Sequence, residues 1–144
     1  MKIYVGADHA GYELKEKLKN YLYKKHTIVD MGNLKYNKKD DYPKFAAKVG
    51  WAVSKSRNFG ILICGSGHGV CIAANKIKDV RAALCENTRD AKLARHDDDA
   101  NILCLQGRYI NYEDAKKISN TFLKTKFSQA KRYQRRVNQI KRLI

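Results

Sequence analysis

The sequence predicts an α/β protein: a single doubly wound, Rossmann-like, five-stranded parallel sheet with helices on both faces and a C-terminal helical extension. Three observations predict it. Short apolar runs alternate with longer segments of helical periodicity along the whole chain. Two of those runs end in glycine-rich turns, Gly6–Gly11 and Gly65–Gly69, at the strand ends where such sheets bind ligands. The 144 residues are 44% hydrophobic and 31% charged, which fits one ordinary core and excludes a disordered chain. With no repeat, linker or low-complexity segment, residues 1–144 read as one domain.

The elements follow in order. Lys2–Gly6 is a short apolar strand ending at a glycine. Leu14, Leu18, Tyr21 and Leu22 recur at helical spacing, so Ala10–Lys24 reads as an amphipathic helix. Thr27–Met31 is a second strand, closed by Gly32 and Asn33, and the polar stretch 33–41 is a loop. Pro43 suits the first turn of a helix running to about Arg57. Gly60–Cys64 is a buried strand, and the glycine turn after it leads into a helix ending near Lys76. Val80–Leu84 and Asn101–Leu105 are further strands, separated by a helix near Thr88–Arg95. Tyr112–Lys126 is a helix. Gln129–Ile144 is the last one, with Tyr133, Val137, Ile140 and Ile144 along one stripe.

Composition narrows the class. No apolar run is long enough to span a bilayer, and the N-terminus lacks a secretory apolar stretch, so a cytoplasmic protein is expected. Cys64, Cys71, Cys85 and Cys104 form no C-x-x-C pair and no His/Cys cluster at zinc spacing. They are expected to be reduced and mostly buried, with Cys64 the exception. The formal net charge is +16, and from Ala115 onward there are ten Lys/Arg and no acid. Such an excess favours an anionic partner. No zinc finger, RNP-like strand or helix-turn-helix is present, so a phosphorylated metabolite ranks above nucleic acid. Non-specific polyanion affinity remains an expected by-product of the basic tail.

The chemistry-bearing residues gather in the turns. Cys64-Gly65-Ser66-Gly67-His68-Gly69 ends a strand and opens a helix. Its glycines let backbone N–H groups converge into an anion hole for a phosphate or an enediolate. The spacing fits neither the dinucleotide fingerprint nor a Walker loop. A tight strand-to-helix turn is the plainer account. A thiol beside a helix N-terminus is favoured as thiolate, which makes Cys64 a candidate nucleophile or base; a buried strand-end cysteine explains it equally well. Asp8 and His9 follow the first strand at the same sheet edge. Asp8 suits a sugar hydroxyl or a helix cap, and His9 a phosphate or a proton. Arg132 and Arg136 share one helical face and suit a phosphate, although spacing alone favours two solvated arginines.

Together these segments resemble the type B ribose-5-phosphate isomerases, of the family shared with galactose-6-phosphate isomerase. The resemblance spans essentially the whole chain. It rests on Gly6-Ala7-Asp8-His9-Ala10-Gly11, Asp41-Tyr42-Pro43, Ile63-Cys64-Gly65-Ser66-Gly67-His68-Gly69, Ile72-Ala73-Ala74-Asn75-Lys76, Ala100-Asn101-Ile102-Leu103 and Arg132-Tyr133-x-x-Arg136-Val137. It implies a homodimer, or a tetramer built from it, with the active site between subunits, the helix 129–144 packed on the partner, and no metal or cofactor. It implies that Cys64 moves a proton between carbons 1 and 2. Gly65, Ser66, Gly67, His68 and Gly69 would then stabilise the enediolate, with Ser66 assisting. Asp8, His9 and Tyr42 would contact the sugar or its phosphate, and Arg132 and Arg136 would hold the phosphate, with Arg108 nearby.

The chain departs from the family pattern in places. A ring-opening His followed by Asn is usual before the fifth strand, and ungapped alignment puts Asp97 and Asp98 there, with His96 one residue earlier. Tyr133 replaces a usual His, Gln129-Ala130-Lys131 replaces a segment with two glycines, and His68 replaces an aliphatic residue. His96, Asp97 or His68 is therefore expected to open the ring. The expected reaction joins ribose 5-phosphate and ribulose 5-phosphate. The alternatives are a six-carbon sugar-phosphate isomerase of galactose-6-phosphate or allose-6-phosphate type, and a basic nucleic-acid-binding protein on an inactive isomerase scaffold.

Overall fold

In the computed structural model, which describes residues 1–143, β1 (Lys2–Ala7), β2 (Thr27–Asp30), β3 (Phe59–Cys64), β4 (Ala82–Leu84) and β5 (Ile102–Gln106) form one sheet. All pairings are parallel, in the order β2-β1-β3-β5-β4. Alternate residues of each strand feed opposite faces. Ile61, Ile63, Leu103 and Leu105 enter one core with Ile3 and Val5. That core is covered by α1 (Tyr12–Leu22), α4 (Thr88–Asp98) and α5 (Tyr112–Lys124). Leu62, Cys64, Ile102 and Cys104 enter the other, covered by α2 (Tyr42–Ser54) and α3 (His68–Ala74). The doubly wound five-stranded sheet expected from the sequence is therefore present. Among the described residues no helix is long and apolar enough to cross a membrane.

Element ends differ from the sequence reading for local reasons. α1 starts at Tyr12, not Ala10, because the Asp8 carboxylate captures the N–H groups of Ala10 and Gly11. β4 begins at Ala82 because residues 77–80 close a turn, Val80 N–H donating to the Ile77 carbonyl. α4 continues to Asp98, where Asp99 turns left-handed and accepts from Arg95. The last helix, α6 (Lys131–Lys141), is shorter than the expected 129–144. Of its predicted stripe only Val137 is buried; Ile140 is 41% exposed, and Ile144 lies outside the described residues.

The order places β1 and β3 side by side, with their following chains leaving toward opposite faces. This is the topological switch at which such sheets open a crevice. Here the loops after β1, β3 and β5 meet backbone to backbone. A Cβ on Gly11 would lie 2.5 Å from the Ile63 carbonyl oxygen, and one on Gly107 would lie 2.6 Å from that of Ala10. The Gly107 N–H donates to the Cys64 carbonyl at 2.8 Å and the Arg108 N–H to that of Gly65 at 3.1 Å.

A buried charge cluster ties β2 and its loop to α1. Lys15 is 1% exposed, and its ammonium donates to Asp30 (2.7 Å), the Asn33 carbonyl (2.7 Å) and Glu16 (3.0 Å). Lys19 donates to Asp30 and Glu16 as well. Burial works to raise the Asp30 and Glu16 carboxyls, but the two ammonium groups outweigh it and hold both below the ordinary carboxylate range. Burial also works against the charged Lys19, but Asp30 and Glu16 override it and raise the ammonium pKa.

Two outcomes are expected. Gly11→Ala lowers unfolding stability by about 1–3 kcal/mol, because the added methyl forces two backbones apart; an unchanged denaturant midpoint would show that the loops can separate freely. The stability that Asp30 and Glu16 contribute is present above their unfolded values near 4 and lost as pH falls through their lower folded values. Stability should therefore decline in acid below about pH 4. Lys15→Met should cost about 3 kcal/mol at pH 7, by removing one of the two ammonium partners of Asp30 and leaving the buried Asn33 carbonyl without its donor, and should flatten that acid decline. Denaturant titrations of both proteins at pH 3 to 7 check this, and parallel curves would remove the cluster as the cause.

Candidate active site

A cleft of about 320 Å³ opens at the carboxyl ends of β1 and β3. Its walls are built by the predicted residues Asp8, His9, Tyr42, Cys64, Gly65, Ser66, Gly69 and Arg108, joined by Ala10 and Tyr109. Cys64 is the last residue of β3, and its side chain is 4% exposed on the face that α2 and α3 cover. Ser66 is exposed, and its hydroxyl accepts from the His68 N–H at 3.3 Å. Gly67 has φ +77°, and a Cβ there would strike Leu84 and the Leu105 carbonyl, so the turn needs glycine. A Cβ on Gly69 would strike the Tyr42 ring, and one on Gly65 would crowd the Arg108 guanidinium at 3.1 Å. The glycines thus let an aromatic ring and a guanidinium lie directly on the turn. Gly67 and His68 belong to the turn, but not to the walls of this cleft.

Asp8 is buried, and its Oδ1 accepts from Ala10 (3.0 Å) and Gly11 (3.2 Å), which caps the loop and not the helix. Burial raises its carboxyl above the usual range, against the lowering effect of Gly11, His9 and Ala10. His9 is held by Asp40, whose Oδ1 lies 2.8 Å from the His9 backbone nitrogen and 2.9 Å from Nδ1. Asp40 Oδ2 accepts from Asn33 Nδ2 at 2.8 Å, and the Asn33 carbonyl accepts from buried Lys15. A chain of contacts therefore runs from Lys15 to the cleft. The sequence reading missed Asp40 and Asn33, because the mostly polar stretch 33–41 reads as a loop, and Lys15, because a lysine in an amphipathic helix reads as solvent-facing. The signal was the acid immediately before Asp41-Tyr42-Pro43.

The remaining predicted residues lie elsewhere. α4 leaves the carboxyl end of β4 and returns to the amino end of β5, so its last turn sits at the opposite sheet edge from Cys64. Cys64 pairs with Gln106, and Gly60 with Ile102; about 13 Å of strand separates these levels. At that far edge His96 Nδ1 lies 2.6 Å from Asp97 Oδ1, and its ring meets Tyr133 edge-on at 5.6 Å. The guanidinium of Arg132 stacks on Tyr133 at 4.6 Å, and that of Arg136 lies 5.9 Å from the same ring. Burial and then Asp97 raise the Asp98 carboxyl, with Arg136 opposing. The chain thus holds two clusters: a thiol with a glycine turn, and a basic cluster with an imidazole.

All four thiols are free. Cys64 is as buried as its neighbours, contrary to its expected exception, and Cys71 is the more open one. Burial, followed by Asp90 and Cys71, pushes the Cys85 thiol up to about 12, so it suits packing and not chemistry. Among the described residues Asp8, His9 and Asp40 have ligand atoms within 4.8 Å of one another. Asp40 already spends both oxygens on His9 and Asn33, and Asp8 Oδ1 accepts two backbone N–H groups, which suits a positioned imidazole better than an ion.

The geometry agrees with the comparisons. A ribose/galactose isomerase family model matches residues 3–140. A probable ribose-5-phosphate isomerase B of Mycoplasma genitalium is 43% identical over 141 residues, covering 96% of this chain and 92% of that protein. A ribose-5-phosphate isomerase B of Mycobacterium tuberculosis is 40% identical over 140 residues, covering 96% and 86%. The crystal structure of a Thermotoga maritima ribose 5-phosphate isomerase is 44% identical, with a TM-score of 0.94 over 99% of this chain and 98% of that one. The Mycoplasma genitalium structure with bound ribulose-5-phosphate is 43% identical, with a TM-score of 0.93 over 98% and 94%. On the match of both sequence and fold over nearly its whole length, this chain belongs to the ribose/galactose isomerase family.

Proposed function

We propose that this protein is an aldose–ketose isomerase that interconverts ribose 5-phosphate and ribulose 5-phosphate. One observation carries the reading: a strand-end thiol, a glycine turn, an imidazole and a guanidinium share one small cleft in a chain about 40% identical to ribose-5-phosphate isomerases B. The bound ribulose-5-phosphate of the Mycoplasma genitalium protein supports the five-carbon substrate. In this reading the Cys64 thiolate takes the proton from C2 of the open-chain aldose. The electron pair moves through C1 onto O1 as an enediolate, which N–H groups of the Gly65–Gly69 turn and the Ser66 hydroxyl stabilise, and the O2 hydroxyl proton passes to O1, leaving the charge on O2. The thiol then returns the proton to C1, giving the ketose. Asp8 and Tyr42 hold sugar hydroxyls, while His9 and Arg108 face the anionic end.

The far-edge cluster completes the site from a second copy. Arg132 and Arg136 are exposed guanidinium groups without access to their own Cys64, and gripping the remote C5 phosphate of a sugar whose C1 and C2 lie at that thiol needs them at the same cleft. The exposed Ile140 and Leu143 of the tail, with Ile72 and Leu93, supply an apolar surface for that copy. The imidazole of His96 then serves as the acid that protonates the ring oxygen, with Asp97 beside it. An imidazole titrates near neutrality and exchanges protons there more readily than a solvated carboxyl.

A coupled assay on ribose 5-phosphate tests the activity, with galactose 6-phosphate and allose 6-phosphate as the competing substrates; turnover of a six-carbon substrate alone would overturn the five-carbon reading. Cys64→Ala and the double variant Arg132→Ala/Arg136→Ala should each be inactive alone. Mixed one to one by subunit exchange they should recover on the order of a quarter of wild-type activity, since half the dimers then carry one intact site. No recovery, despite exchange, would place the whole site in one chain. Against substrate supplied partly as the open-chain aldehyde, His96→Ala should lose turnover of the cyclic form and keep it on the open form. Selective loss in Asp97→Ala or His68→Ala, and not in His96→Ala, would move ring opening to that residue.

A further inference from the structure

We propose that Asp40 is a positioning residue for His9, fixing the imidazole as its Nδ1–H form and turning the Nε2 edge into the cleft to meet the substrate. The Asp40 side chain is 2% exposed. A carboxylate withdrawn from water that far is costly unless hydrogen bonds replace its hydration. Three donors face it: the His9 backbone N–H, His9 Nδ1 and Asn33 Nδ2. Two of the three come from one residue. A carboxylate that merely closed the loop would need no ring. An ionised carboxylate only accepts, so Nδ1 must carry the proton. The one ring nitrogen left for the cleft wall is then Nε2, a fixed acceptor when the ring is neutral and a donor to an anionic oxygen when it is charged.

The support behind Asp40 is itself buried. Asn33 is held through its carbonyl by the Lys15 ammonium, which Asp30 and Glu16 hold in turn. His9 is flanked by Asp8 on its own loop, by Asp40 from the loop before α2, and by the Tyr36 ring edge-on at 6.5 Å, with Arg108 lining the same cleft. The ring is therefore set by tertiary contacts and not by its own loop. The substrate named in the kinetic part of the test rests on the isomerase reading; the tautomer does not.

The test has two readouts on the full-length protein. The first is the ¹⁵N chemical shifts of the His9 ring at pH 8, where an imidazole is normally neutral. The wild type should show a protonated Nδ1 and a bare Nε2. Asp40→Ala should move the proton to Nε2, the form an unassisted imidazole favours. Asp40→Asn should keep the wild-type tautomer. Its amide oxygen can still accept from His9, and its amide can donate to Asn33 Oδ1, a buried atom with no partner among the described residues, once the Asn33 amide turns over. The second readout is steady-state kinetics on ribose 5-phosphate. Asp40→Ala should raise KM roughly tenfold, with kcat within about threefold of wild type, and Asp40→Asn should change KM less. A wild-type His9 protonated on Nε2 overturns the proposal by itself, whether or not the alanine variant folds. So does an alanine variant that keeps the wild-type tautomer, or one that loses kcat with KM unchanged. If the wild type turns over no sugar phosphate, the isomerase reading fails alone, and the tautomer still decides the role of Asp40.

Discussion

The close approach of three strand-end loops is the constraint on which the rest of the site depends. Gly11 lies against the Ile63 carbonyl, and Gly107 against the carbonyls of Ala10 and Cys64. No side chain fits between these backbones, so the loops after β1, β3 and β5 keep one arrangement. That arrangement brings Asp8 and His9, Cys64 and the glycine turn, and Arg108 around one cleft. The same logic recurs at Gly65 and Gly69, where a missing Cβ lets the Arg108 guanidinium and the Tyr42 ring rest on the turn. The sheet fixes the levels of the strand ends, and the glycines let the loops above them close.

Electrostatics secures the flank of the cleft. Asp30, Glu16 and the two lysines of α1 neutralise one another where β2 ends. Lys15 carries that order into the loop before α2 through the Asn33 carbonyl, and Asn33 passes it to Asp40. Groups of this kind are expensive to bury singly and tolerable as a set, because each desolvated charge finds a partner of opposite sign or a hydrogen-bonding backbone atom. Positive charge also gathers away from this cluster, in α6, whose five Lys/Arg all meet solvent with no acid among them.

Double winding also explains why the chemistry-bearing residues fall into two groups. A helix that follows one parallel strand must return to the start of another, so its two ends lie at opposite sheet edges. Residues after β1, β3 and β5 share the cleft edge. Residues at the end of α4, and the tail helix packed near it, share the other. His96, Asp97, Arg132 and Arg136 are therefore neighbours of one another and not of Cys64 in the same chain. A site that uses both groups has to be assembled from two copies, and the proposed isomerase mechanism draws on that geometry.

Much was legible in the sequence because it depended on local pattern. Short apolar runs and stripes at helical period carried the kinds and order of the elements. The glycine turns after the first and third strands marked the ligand edge, and the whole-chain resemblance named the family that the comparisons support. What the sequence could not carry was distance across the fold. Asp40 sits 31 residues from His9 and Lys15 sits 18 from Asn33, so no local pattern announces either contact. The element ends likewise turned on side chains reaching back to the backbone, as Asp8 does at the start of α1. The split of the predicted site residues between two edges follows from chain direction in the sheet, which only the pairing order decides. Local hydrogen bonding and hydrophobic period are written residue by residue, whereas the meeting of distant loops is set by packing of the whole, and only the tertiary structure decided it.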